Sequence, residues 1–149
     1  MNLIDTVRLV LKFKGHNVWH VSPDACVYEA IELMAEKHVG ALMVVKGSEL
    51  VGVVSERDYA RKVILQGKAS KQTPVSEIMS SPAISLAPEQ TVEDAMRLMT
   101  DKRIRHLPVV EDGQILGVLS IGDLVRWMMS AQQQTISQLH NYITSQYPA

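Results

Sequence analysis

With Cys26 as its single cysteine, the chain forms no intramolecular disulfide and assembles no cysteine-based zinc site, which points to a reducing compartment, the cytoplasm. Aromatic residues make up only 5%, so aliphatic side chains and eight methionines must fill the interior. An excess of positive charge is also missing. The formal net charge is −1, which argues against nucleic-acid binding, whose affinity comes mostly from clustered Lys and Arg. No apolar run approaches the roughly 18 residues that span a bilayer, so no membrane association is expected. Met1–Val7 carries an acid early and no charged region ahead of an apolar one, and is not expected to be a signal peptide. There is no P-loop, no Gly-x-Gly-x-x-Gly and no nucleophile–base–orienter set, so catalysis is not expected. The five histidines are not read as a metal site.

What is present is a chain of 149 residues, 46% apolar and 21% charged, enough for one compact domain or two small half-domains sharing a core. A shift of 65 residues aligns Val18–Ile64 with Ala83–Met129 without a gap. Identities include Pro23/Pro88, Val27/Val92, Ala30/Ala95, Met34/Met99, Leu42/Leu107, Val44/Val109, Gly52/Gly117, Ser55/Ser120, Asp58/Asp123 and Arg61/Arg126. So many matches in one register identify an internal duplication.

Each copy reads as β-α-β-β-α. An extended segment (Val18–Val21, then Ala83–Leu86) precedes a turn at Pro23 or Pro88. A helix follows with Val27, Ala30, Ile31 and Met34 on one face, matched by Val92, Ala95, Met96 and Met99. Thr91 and Asp94 make a capping box at the start of the second. Two apolar strands come next, Ala41–Val45 and Leu50–Val54, then Leu107–Val110 and Ile115–Leu119, around turns at 46–49 and 111–114. A further helix starts near Glu56 and near Ile121. Half of this arrangement buries too little to stand alone, which two packed copies remedy. The organisation expected is an N-terminal helix within 1–17, repeats at 18–66 and 83–130, a linker at 67–82 with a helical turn near Val75–Met79, and a helical extension at 131–149. Ile136, Leu139 and Ile143 give that extension one apolar stripe, which calls for a partner surface.

The candidate chemistry lies in Gly52-Val53-Val54-Ser55-Glu56-Arg57-Asp58 and Gly117-Val118-Leu119-Ser120-Ile121-Gly122-Asp123. Ser stands where a buried strand ends and a helix begins, with Asp in the first turn. The pair suits a capping box. It equally suits a ligand, because a helix N-terminus attracts anions and a carboxylate beside it can grip ribose hydroxyls. Gly upstream permits a close backbone approach. The residues by themselves leave both readings open.

Both copies resemble CBS motifs, the repeats named after cystathionine β-synthase that pair into Bateman modules. The resemblance covers about Val18 to Met129 and rests on the extended segment before Pro, the strand pair, Arg105-His106-Leu107-Pro108-Val109-Val110 and the Gly-x-x-Ser-x-x-Asp ending of each copy. It implies an α/β (α+β) fold with two tandem repeats packed through their sheets and extra helices at both ends. It also implies adenosine-containing ligands, AMP, ADP, ATP, NAD or S-adenosylmethionine, in two clefts between the repeats.

Carried over residue by residue, the resemblance gives a first cleft in which Asp58 holds ribose hydroxyls and Ser55 bonds to ribose or phosphate. Ala83, Ile84, Ile104 and Pro108 would sandwich adenine, while Arg57, Arg105 and His106 meet phosphate. In the second cleft Asp123 and Ser120 would face Val18, Trp19, Val39, Ala41 and Met43. The basic residues of the first make it the expected home of a phosphorylated ligand; the second is expected to be empty or to hold adenosine without phosphates nearby. The implied role is a homodimeric regulatory module acting in trans on a partner protein that the sequence does not identify. An interaction module that binds no nucleotide is the alternative.

Overall fold

The computed structural model describes residues 2–146. Its elements run α1 (Val7–Lys14), β1 (His20–Val21), α2 (Val27–Lys37), β2 (Ala41–Lys46), β3 (Glu49–Ser55), α3 (Glu56–Tyr59), α4 (Val92–Lys102), β4 (His106–Glu111), β5 (Gln114–Ser120) and α5 (Ile121–Gln146). A π-helical turn at Ala60–Ile64 extends α3, and a 3-10 turn occupies Val75–Glu77. The two repeats match the expected order of elements, and their sheets meet along β3 and β5.

Local chemistry accounts for the element ends. Thr91 and Asp94 form the reciprocal capping box of α4, whereas Cys26 begins α2 with no side-chain cap bond. Asp112 and Gly113 both take positive φ in the two-residue turn between β4 and β5, the backbone hand that suits an antiparallel hairpin.

The sheets are unequal. In the first, β1 pairs parallel to β2 and β2 antiparallel to β3; in the second, β4 pairs with β5 alone. The strand expected over Ala83–Leu86 shrinks to one bridge, Leu86 to Val109. A single substitution between the copies explains this. Met43 N–H donates to Trp19 O at 3.1 Å in the first repeat, but position 43 corresponds to Pro108, which has no N–H to offer Ile84.

The cores are not built repeat by repeat. Helix α1 buries Val7, Val10 and Leu11 against Leu86, Val92, Met99, Leu107 and Leu119 of the second repeat. Val75 and Ile78 of the linker are buried with Val27, Met34, Leu42 and Val54 of the first. The backbone bonds repeat in step: Val7 N–H to Gln90 O (2.7 Å) mirrors Val75 N–H to Ala25 O (2.8 Å), and Arg8 N–H to Pro88 O (2.9 Å) mirrors Ser76 N–H to Pro23 O (3.0 Å). The duplicated unit therefore includes an upstream segment. Each repeat's core is completed by the segment that precedes the other repeat: the N-terminal helix enters the second core and the linker enters the first. The ranges 18–66 and 83–130 leave these segments out.

The two conserved-in-register glycines serve this packing. A Cβ at Gly117 would lie 2.7 Å from Leu11 Cδ2, and one at Gly52 would lie 2.8 Å from both Met79 Sδ and Ser80 O. At both glycines the close neighbour is another segment of the chain, where the sequence points to a ligand. Among the described residues, no helix is long and apolar enough to cross a membrane.

Candidate functional site

Two clefts open between the repeats, each at the start of the helix that follows the last strand. In both repeats one backbone bond fixes that corner: Glu56 N–H to Gly40 O (3.0 Å) and Ile121 N–H to Arg105 O (2.8 Å). Next to it the capping box is complete. Asp58 N–H donates to Ser55 Oγ (3.2 Å) and Ser55 N–H to Asp58 Oδ2 (2.9 Å); the second repeat has the same bonds at 3.1 and 2.8 Å. Capping and ligand-facing roles are geometrically compatible, because the cap uses Oδ2 and leaves Oδ1 turned to other groups. Asp58 Oδ1 meets Lys62 Nζ at 3.2 Å, and Asp123 Oδ1 meets Arg126 Nη2 at 2.6 Å.

The first cleft, of about 480 Å³, brings together Ser55, Arg57, Asp58, Ile104, Arg105 and His106. Ala83, Ile84 and Pro108 are not part of its wall. Pro108 is buried under Leu86, whose N–H it accepts at 2.9 Å. The segment holding Ala83 and Ile84 lacks the hydrogen bond at Pro108 that would draw it along β4. Of the four residues expected around adenine, Ile104 alone lines the cleft. Sequence reasoning missed Arg61, Lys62, Lys102 and Arg103, which raise the count to six cationic side chains against the carboxylates of Glu56 and Asp58. Arg61 was visible as an identity with Arg126, and Lys102 and Arg103 belong to a basic run ending at Arg105. Arg103 takes φ 55° at the end of α4, as His38 does at the end of α2. Both are thus left-handed corners on the cleft rims, a conformation that costs a non-glycine residue about 1 kcal/mol.

The second cleft, about 360 Å³, gathers Trp19, Val39, Ala41, Met43, Ser120 and Asp123. Val18 is absent from it, since neighbouring residues of an extended chain point opposite ways and Trp19 takes the cleft side. Trp19 is 38% exposed with Lys37 Nζ 4.5 Å from its ring centroid, a wall and not a core residue. The second cleft also carries cations at its Ser–Asp corner. Lys14, at the end of α1, reaches Asp123 Oδ2 at 2.6 Å and also donates to Val118 O. Together with Arg126 it occupies both carboxylate oxygens. Nothing in the aligned copies signalled this, because Lys14 precedes the alignable region and is placed by the packing of α1.

Burial works against ionisation of Asp123, but Lys14 and the hydrogen bonds from Ser120 outweigh it and hold the carboxyl below its ordinary 3.8. A group so lowered contributes stability that is complete above its ordinary value and is lost as pH falls through the folded-state value. Lys14→Met is therefore expected to cost about 1–2 kcal/mol at pH 7, below the range for a fully buried pair because Lys14 is 35% exposed. The deficit should shrink as pH falls toward the ordinary 3.8 and close only below the lowered folded-state value. Urea titrations at stepped pH measure it, and a deficit independent of pH would refute the ion-pair account.

His106 stands between the clefts and lines both. Its ring packs on Gly40, where a Cβ would lie 3.3 Å from Cε1. Burial, then Lys14, lowers its pKa below 6.5, with Asp123 opposing, so the imidazole is neutral at pH 7. His16 and His20 are four apart but lie outside any helix, and among the described residues no cluster of His, Cys, Asp and Glu suits a metal ion.

With this geometry established, comparison with known proteins is direct. A family model described as "CBS domain" matches residues 14–64 and again 75–130. A mitochondrial CBS domain-containing protein of Arabidopsis thaliana, CBSX3, is 42% identical over 152 residues, covering 95% of this chain and 73% of its own. A signal-transduction protein with CBS domains from Burkholderia ambifaria, described as putative in function, superposes with a TM-score of 0.82 at 47% identity, over 85% of this chain and 96% of that one. A more distant CBS domain pair, 22% identical with a TM-score of 0.76 over 86% of this chain and 98% of its own, was crystallised with 5′-methylthioadenosine and S-adenosyl-L-methionine.

Proposed function

The chain belongs to the CBS-domain family, and from that premise we propose that it is a regulatory module that binds an adenine nucleotide, AMP, ADP, ATP or NAD, in the first cleft. The observation that carries the reading is the set of six cationic side chains around the Ser55–Asp58 helix start. A phosphate is matched by that charge and by the helix N-terminus. The Oδ1 side of Asp58 is the acceptor for ribose hydroxyls, in place of Lys62, whose Nζ keeps its hydrogen bond to Ile78 O at 2.9 Å, and Ile104 offers an apolar contact to the base. The adenosine ligands of the distant CBS pair support the ligand class. The charge here favours a phosphorylated member over a cationic sulfonium.

In this reading the module is a homodimer in the cytoplasm, although its Arabidopsis relative is mitochondrial, and acts in trans on a protein still to be identified. Ligand shifts that interaction only by its differential affinity for two states of the module. The role is binding, not catalysis; unchanged ATP and NAD after prolonged incubation with the protein is the expected result.

The test is a thermal-shift panel with AMP, ADP, ATP, NAD, NADH and S-adenosylmethionine on wild type, Asp58→Ala and Asp123→Ala. A ligand at a hundredfold its Kd stabilises by about 2.7 kcal/mol, or about 5–10 °C for a chain of this size. Asp58→Ala is expected to remove most of the shift and Asp123→Ala less of it. A flat panel on folded protein favours the second reading, an interaction module without nucleotide. The specific observation behind that second reading is that in both Ser–Asp capping boxes the side chains and backbone satisfy each other.

A further inference from the structure

Helix α5 continues well past the second repeat. Its first turns are anchored by Leu124 and Trp127, both buried, and Trp127 donates Nε1–H to Asp5 Oδ2 at 3.0 Å. From Ser130 to Ser145 every side chain is exposed except Ala131, which is partly buried. Residues 130–145 include Thr135, Ile136, Ser137, Asn141 and Thr144, all weaker helix formers than Ala, Leu or Glu. A helix of this length and composition is marginal in water unless packing supports it.

Apart from Tyr142, the exposed apolar residues of α5 are spaced by a rule. Met129, Ile136 and Ile143 fall seven apart, as do Val125, Gln132 and Leu139, and the two series alternate by four and three. This is a heptad seam, with the first series at a and the second at d. Val125, Met129, Ile136, Leu139 and Ile143 are all 45–62% exposed. Trp127 falls at f, so the face that docks on the body lies opposite the seam, which points outward. A 3.5-residue repeat is the spacing that keeps one helix against another and does not fit a flat surface over this length.

We propose that α5 pairs with α5 of a second copy as a parallel, in-register, two-stranded coiled coil across the dimer. Three features select this occupant. Residues 130–145 contain no Asp, Glu, Lys or Arg, so over this stretch an identical copy meets no like-charge repulsion and no e or g charge selects a different partner; Arg126, at e nearer the body, is paired with Asp123 at 2.6 Å. Ile at a with Leu at d favours two parallel strands. Gln132 at d meets Gln132 of the other copy only in the parallel register, where the two amides satisfy each other; antiparallel pairing would bury them against Met or Ile. The geometry goes beyond the homodimer named in the functional reading and rests on it only for the existence of a dimer.

The test uses the full chain in a Cys26→Ser background with one new cysteine, either Leu139→Cys at d or Asn141→Cys at f, opposite the seam, under mild oxidation. The expected result is inter-chain disulfide formation at least tenfold faster at 139 than at 141. Sedimentation equilibrium adds a second readout. Ile136→Asp should weaken the dimer at least tenfold, and Gln132→Leu should tighten it, since a polar core position costs stability. Equal cross-linking at both positions, with a dimer indifferent to Ile136→Asp, would overturn the coiled coil and assign the dimer to another face. Because Ile136 touches no buried group, unchanged nucleotide shifts in that variant separate this outcome from a failure of the nucleotide reading.

Discussion

Leu11→Ala is expected to destabilise the protein by about 3 kcal/mol, and Ile78→Ala by a similar amount. Both side chains are fully buried, Leu11 in the core of the second repeat and Ile78 in that of the first. Truncation removes their transfer free energy and leaves cavities between elements held apart by β-sheet and helix backbones, which collapse poorly. Urea unfolding monitored by circular dichroism measures the loss as a lower midpoint at unchanged slope. If α1 were only an appendage docked on a finished body, Leu11→Ala would cost under about 0.5 kcal/mol, as an exposed substitution does. The pair of variants thus tests the exchange of segments between repeats, on which the clefts depend. Lys14 follows α1 into the second cleft, and Ser80 follows the linker into the first. Each cleft is walled by the end of a segment whose beginning is locked in a core, so a ligand that moves that wall pulls on the packing of a whole repeat.

Gly52→Ala is expected to lower stability by about 2–3 kcal/mol, the upper part of the range for overpacking a core, and Tm by about 5–10 °C. Its Cβ would stand 2.8 Å from Ser80 O, a backbone atom. Ser80 in turn is bonded to Val53 in both directions, N–H to O at 2.9 Å and O to N–H at 3.1 Å. Relief requires the linker to leave the edge of β3, which breaks those bonds and shifts a residue of the first cleft. Gly117→Ala, although its Cβ meets Leu11 Cδ2 at 2.7 Å, presses on the far end of a flexible side chain and should cost about 1 kcal/mol. Calorimetric melts of the two variants side by side decide the matter. Equal losses would show that the linker yields as easily as a leucine rotamer.

The α5 seam and the second cleft share one helix. Asp123 and Arg126 in the first turns of α5 line the second cleft, and Val125 and Met129 open the seam on the same helix. A change at the carboxylate of Asp123 therefore acts directly on the helix proposed to join two copies.

The sequence by itself determined whatever repeats. The duplication, the β-α-β-β-α order, the hairpin turns and the Ser–Asp helix starts follow from local spacing and from identities at a fixed offset. Heptad spacing is local in the same sense, and the stripe at Ile136, Leu139 and Ile143 was legible. Tertiary structure alone decided what depends on segments without a visible counterpart. The upstream unit of each repeat, at 7–14 and at 73–79, has diverged in sequence while keeping its backbone bonds, so no run of identities exposed it. Hence the assignment of α1 to the second core, the arrival of Lys14 at Asp123 and the contact of Ser80 with Gly52 were not readable. The loss of the strand at Ala83–Leu86 rests on one missing N–H, at Pro108, whose consequence appears only once the strand that needed it is set alongside. Identity of residues reveals a shared fold; which atoms meet across it is set by packing, where one hydrogen-bond donor or one Cβ decides.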